Sequence, residues 1–189
     1  VARPGTQDIP VRCSRLGLGL SWDRGGCSVD ADLQGVAFSA TGQLVDAVYY
    51  NNMKALGGGL THSGDETTGE KAGLDEAIWV NFQRLPADTK VIVIVVACYK
   101  GGHLRDLQNG KLHMLENDPD NDVAQWSCER SEEEVDVLGL LHKHEDGSWW
   151  YRQIDLPAAD GQHFIDILEP TIGTCVRSII PSAPKRLKA

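Results

Sequence analysis

The sequence predicts an all-β protein, an antiparallel β-sandwich of about nine or ten strands with one or two short helices. Three observations predict it. Apolar residues fall in short runs that alternate or are β-branched; turn chemistry separates the runs; and helical periodicity shows in only two places.

The elements follow in order. Residues 15–22 alternate Leu16, Leu18 and Leu20 with Gly17 and Gly19, a strand whose glycines admit a close neighbour. Residues 33–40 and 44–50 flank Thr41-Gly42, a hairpin turn. Residues 77–82 and 90–99 lie either side of Pro86-Ala87-Asp88, and the second is β-branched throughout, as a strand covered on both faces would be. Residues 111–115, 123–129, 135–143 and 148–154 complete the strands, with Glu145-Asp146-Gly147 closing the last hairpin. One helix fits residues 104–109. A second begins at Asp160, presents Phe164, Ile165 and Leu168 on one face and ends at Pro170.

A length of 189 residues fits one domain. Residues 1–12 read as an N-terminal extension, 13–180 as the sandwich, and 181–189 as a tail made basic by Lys185, Arg186 and Lys188. Both polar ends read as frayed. With 18 Lys and Arg against 27 Asp and Glu, the net charge of −9 disfavours nucleic acid and favours cations or basic partners. The longest apolar run, 91–99, is far short of the roughly 20 residues a membrane-spanning helix needs. Arg3, Asp8 and Arg12 interrupt any secretory leader, although a chain opening on Val is compatible with one removed earlier. Cys13, Cys27, Cys98, Cys128 and Cys175 include no C-x-x-C pair and read as reduced thiols or small core residues.

Between Leu20 and Glu76, nine acidic residues face only Arg24, Lys54 and Lys71. Crowding of like charge destabilises a fold unless solvent or a cation relieves it. Asp30 and Asp32 share one side of an extended segment, and Asn51-Asn52 offers amide oxygens. Gly57-Gly58-Gly59 leads into 62–76, which carries Asp65, Glu66, Glu70, Asp75 and Glu76 with the hydroxyls of Thr67 and Thr68. Hard oxygen donors in such number suit Ca²⁺; His62 is the lone imidazole. A solvated acidic loop without an ion is the competing reading. Asp118, Asp120, Asp122 and Glu129 mimic a twelve-residue calcium loop, but Val123 stands where the turn needs glycine, so a Pro119 β-turn fits better.

At these residues the chain resembles the TerD-like tellurium-resistance domain family. The matching motifs are LGLGLSWD at 16–23, VDADLQGVAF at 29–38, YYNN at 49–52, THSGDETTGE at 61–70 and DEAIWVN at 75–81. Pro86-Ala87-Asp88, the run at 91, EEEVDVLGLLHKH and GSWWYR keep the family order, so the resemblance covers 16–168. It implies a calcium-binding β-sandwich with two neighbouring ion sites, and a non-enzymatic, cytoplasmic role in stress responses, including tolerance of tellurite. It also implies protein partners in assemblies that can associate peripherally with a membrane. Carried over by motif, the metal ligands are Asp30, Asp32, Asn52, Asp65, Glu70, Asp75 and Glu76, with Asp23 a weaker candidate. The chain departs at Lys71-Ala72-Gly73-Leu74, where family members are more acidic, which should weaken one of the two sites.

Some of these residues, and others, admit other chemistries. Asp75 and Glu76 as a glycosidase pair lack an accompanying aromatic-lined segment. Cys98 beside His103 reads as a core thiol rather than a nucleophile. His142 and His144 share one side of a strand, as metal ligands or as a polar face. Trp126, Trp149 and Trp150 suit cross-strand packing or a carbohydrate or protein surface. The alternative to an ion-dependent adaptor is a module binding a small, cyclic-nucleotide-like ligand, for which no phosphate-cradling loop or arginine pocket is evident.

Overall fold

The computed structural model describes residues 8–23, 30–63, 74–98, 102–128, 133–158, 161 and 163–189. In chain order the strands are β1 (Asp8–Val11), β2 (Arg15–Asp23), β3 (Ala31–Ser39), β4 (Leu44–Val48), β5 (Lys54–Ala55), β6 (Leu60–His62), β7 (Glu76–Asn81), β8 (Thr89–Cys98), β9 (Gln108–Glu116), β10 (Asp122–Ser127), β11 (Val135–Lys143) and β12 (Trp149–Ala158). They form two sheets, β1-β12-β11-β8-β3-β4 and β10-β9-β2-β7-β6-β5, antiparallel at every pairing.

Alternation along each strand decides what it packs against. Leu16, Leu18 and Leu20 of β2, Ile78 and Val80 of β7, and Ile92, Ile94 and Val96 of β8 fill the space between the sheets. Burying each such side chain contributes about 1.5–3 kcal/mol. The other face of β8 (Val91, Val93, Val95 and Ala97) lies beneath Phe164, Ile167, Leu168, Ile172, Val176 and Ile180. This third layer is why β8 is apolar on both sides. Gly17 is opposite Trp79, and a Cβ there would stand 2.8 Å from the indole, which is the close approach its glycine permits. Gly42 turns the β3–β4 hairpin at φ +79°.

Among the described residues, twelve strands stand where the sequence predicts nine or ten. β5 and β6 are two and three residues long, too short for alternation to show. β1 contains Pro10, a strand breaker that an edge position tolerates.

The helical end also differs from expectation. Residues 164–167 make only a 3₁₀ turn, and Ile165 is exposed rather than facing the core. Pro170 does not end the helical layer; the α-helix, α1 (Gly173–Ile179), comes after it. Glu169 is extended (φ −132°, ψ 137°), because a residue before proline is disfavoured from helical geometry.

The ends are packed where they are described. β1 pairs with β12 through Asp8↔Arg152 and Val11↔Trp149. Ala183 and Leu187 are buried in the third layer, and the Leu187 N–H donates to Glu169 at 2.9 Å. The basic Lys185, Arg186 and Lys188 give the tail a polar composition in which these two apolar residues do not stand out. The segment before β10 is a turn, with Asp120 N–H donating to Asp118 Oδ1 at 2.8 Å. Trp126 packs on Tyr151 of the opposite sheet at 5.2 Å between ring centroids, and Phe82, in the 3₁₀ turn after β7, packs on Trp149 at 5.5 Å, so both tryptophans serve packing between the sheets rather than across paired strands. Cys98 is wholly buried in the core. Among the described residues, no helix is long and apolar enough to cross a membrane.

Candidate metal centre

β3 outruns its partner. Its pairing with β4 begins at Gly35↔Val48, so Asp32 and Leu33 extend past the end of β4. The Leu33 N–H donates instead to Oε2 of Glu76, the first residue of β7 in the opposite sheet, at 2.6 Å. His62 ends β6, held by its N–H to the Met53 carbonyl at 2.8 Å. Its Nε2 lies 3.4 Å from Glu76 Oε2 and 3.7 Å from Asp32 Oδ1. Gln34 braces the far side: its amide donates to Asp32 Oδ2 at 2.9 Å, and its Oε1 accepts from the Phe164 N–H at 2.7 Å. Asp32, His62 and Glu76 are each at most 5% exposed, and one ligand atom from each lies within 4.8 Å of the others.

Burial sets the protonation of this centre. It pushes the Glu76 carboxyl up to about 7, with the Asp32 charge adding to the rise; the His62 and Leu33 hydrogen bonds oppose it. Burial alone would lower the His62 imidazole, but the hydrogen bond and charge of Glu76, with the charge of Asp32, outweigh it and raise His62. Two carboxylates so close disfavour joint ionisation, a conflict that a proton on His62 or a bound cation relieves.

Among the described residues, the other sequence candidates make contacts of their own. Asp75 directs its Oδ2 to the Trp22 N–H at 3.0 Å, while its own N–H donates to Leu20. Asn52 closes the turn after β4 by pairing with Tyr49, and its amide donates to the Ala47 carbonyl at 2.7 Å. Asp30 immediately precedes β3 and is half-buried. Asp23 is exposed and accepts from the Asn109 amide. Asp65 and Glu70, with Thr67 and Thr68, lie outside the described residues.

Sequence reasoning left His62 and Gln34 out of the site. His62 falls two places after core Leu60, so period two puts it on the buried face, but a three-residue strand hides that signal. Gln34 carried no signal beyond standing in an apolar strand.

Does the donor set suit Ca²⁺? Asp32 and Glu76 supply hard carboxylate oxygens, which fit. His62 does not fit as a calcium ligand, but its contact with Glu76 suits a group that orients a ligating carboxylate.

The TerD domain model matches residues 8–163. This chain belongs to the TerD domain family. The TerD domain therefore takes in all of β1–β12 and stops one residue short of the Phe164 turn that opens the helical layer. The chain is 31% identical over 156 residues to tellurium resistance protein TerD of Alcaligenes sp, covering 76% of this chain and 81% of that one. It is 25% identical over 154 residues to general stress protein 16U of Bacillus subtilis, covering 75% and 79%. The crystal structure of a homologue of telluride resistance protein TerD from Streptomyces coelicolor A3(2) matches with a TM-score of 0.65. At 17% identity over 92% of this chain and all of that one, this likeness shows the shared TerD fold.

Proposed function

We propose that this TerD domain protein is a non-enzymatic, cytoplasmic calcium-binding stress-response protein acting as an ion-dependent adaptor. The observation that carries the reading is the buried pair Asp32 and Glu76, brought from different sheets to one end of the sandwich beside His62. Asp32 and Glu76 hold the ion. Asp30, Asn52, Asp65, Glu70 and Asp75 are the remaining oxygen donors for it and for a second ion.

A bound divalent cation supplies positive charge that offsets the repulsion between these carboxylates. The chain's own part is to prepare the site. Leu33 and His62 aim Glu76, Gln34 aims Asp32, and β3 and β7 meet where those side chains converge. Because the ion would bind the folded state alone, it would raise stability by about 2.7 kcal/mol at a hundredfold excess over its Kd.

Isothermal titration tests the reading. Calcium should give a saturable heat that Asp32→Asn reduces, and cyclic nucleotides should give none. Nucleotide heat without calcium heat would replace the adaptor with the small-ligand alternative.

A further inference from the structure

At the opposite end of the same sheet lies a second cluster, of different chemistry. Asp32 pairs with Ala97 and Phe38 with Val91 along β3 and β8, and Val91 pairs with His142 of β11. Six residues of strand, about 20 Å, thus separate the row of Asp32 from that of His142. We propose that His142, His144 and Asp8 form a binding site for a late first-row transition cation, of which Zn²⁺ is the expected occupant.

The geometry carries this. One ligand-capable atom from each of the three residues lies within 4.8 Å of the others. His142 and His144 flank Lys143, so period two sets both imidazoles on the sheet face outside the inter-sheet core, with ring centroids 5.0 Å apart. His142 Nε2 and Asp8 Oδ2 are 3.0 Å apart. Two imidazoles and one carboxylate are a borderline-soft donor set that favours zinc over calcium, with a fourth position left to water.

The supporting groups are in place as well. Trp150 stacks on His144, centroids 5.0 Å apart and planes 15° apart, which fixes an otherwise exposed ring. Arg152 grips Asp8 with Nε 2.7 Å from Oδ1 and Nη2 2.9 Å from Oδ2, orienting the carboxylate as an outer partner does in metal sites. Its positive charge opposes a cation, so affinity should be below that of a closed structural zinc site. Lys90 and Lys143 are turned to backbone carbonyls, of Lys143 and Ala87 respectively. A groove of about 480 Å³ between His142, His144 and the end of α1 at Ser178 and Ile179 gives the ion a path from solvent.

The test is native mass spectrometry and chelator competition on the full chain, saturated with calcium and titrated with Zn²⁺. One zinc should bind, His144→Gln and His142→Gln should each weaken it at least tenfold, and Co²⁺ in its place should show visible d–d absorption. His144 is exposed, so His144→Gln keeps the test valid if His142→Gln fails to fold; circular dichroism and an intact calcium response would verify its fold. Absence of zinc uptake, or uptake by His144→Gln as tight as in the parent chain, would overturn the site.

Discussion

The Leu33 N–H donates to the Glu76 carboxylate at 2.6 Å, a bond that ties one sheet to the other where the acidic side chains converge. Glu76 thus does two separable things, accepting a buried hydrogen bond and carrying charge. Glu76→Ala should leave the Leu33 N–H without its acceptor and cost about 1–3 kcal/mol in chelator. Glu76→Gln keeps an acceptor, so it should lose far less in chelator and lose its response to calcium. Urea denaturation with and without calcium separates the two effects.

Gln34 links Asp32 to the Phe164 N–H, and so joins the acidic centre to the helical layer. Gln34→Leu removes the amide donor to Asp32 Oδ2 and the acceptor of the Phe164 N–H, and should destabilise by about 1–3 kcal/mol. It should also weaken calcium binding, because Asp32 loses the group that aims it. Titration calorimetry of this variant would show an unchanged affinity if Gln34 served packing alone.

Glu169, the extended residue before Pro170, is bonded both to α1 and to the tail. Hydrogen bonds from the Arg177 guanidinium, at 2.8 and 2.7 Å, hold its carboxyl below the ordinary 4.5, helped by the Leu187 N–H. A carboxyl lowered by folding contributes stability that is fully present above its unfolded value and is lost as pH falls through its folded value. The parent chain should therefore lose about 1 kcal/mol on acidification below pH ~4.5 that Glu169→Gln does not lose. Equilibrium unfolding across pH 2–6 measures the difference between the two curves.

Gly42 is held at φ +79°, and a Cβ there would collide with the Ala183 side chain. Gly42→Ala should cost more than about 1 kcal/mol through the backbone alone and displace the tail as well. Hydrogen exchange at the Leu187 amide, bonded to Glu169, should quicken in this variant. An unchanged rate there would show that the hairpin does not brace the tail.

Strands long enough to alternate were legible in the sequence. Leu16, Leu18 and Leu20 announced β2, and the β-branched run of β8 announced cover on both faces. What covers it was not legible, because Pro170 reads as a stop when it stands between a 3₁₀ turn and α1. Period two and charge crowding singled out Asp32 and Glu76, which the fold brings together beside His62. His62 stayed hidden because its strand is three residues long, and Gln34 because a buried amide leaves no pattern. Asp8 meets His142 across 134 positions of sequence, a pairing only the topology supplies.

The central claim is that Asp32 and Glu76 grip a divalent ion. Native mass spectrometry of the full chain beside an Asp32→Asn/Glu76→Gln double variant, each in calcium and then in chelator, tests it most directly. The parent should carry at least one calcium, shed it to the chelator, and the double variant should carry fewer. Equal calcium counts in both chains, or none in the parent at millimolar calcium, would contradict it.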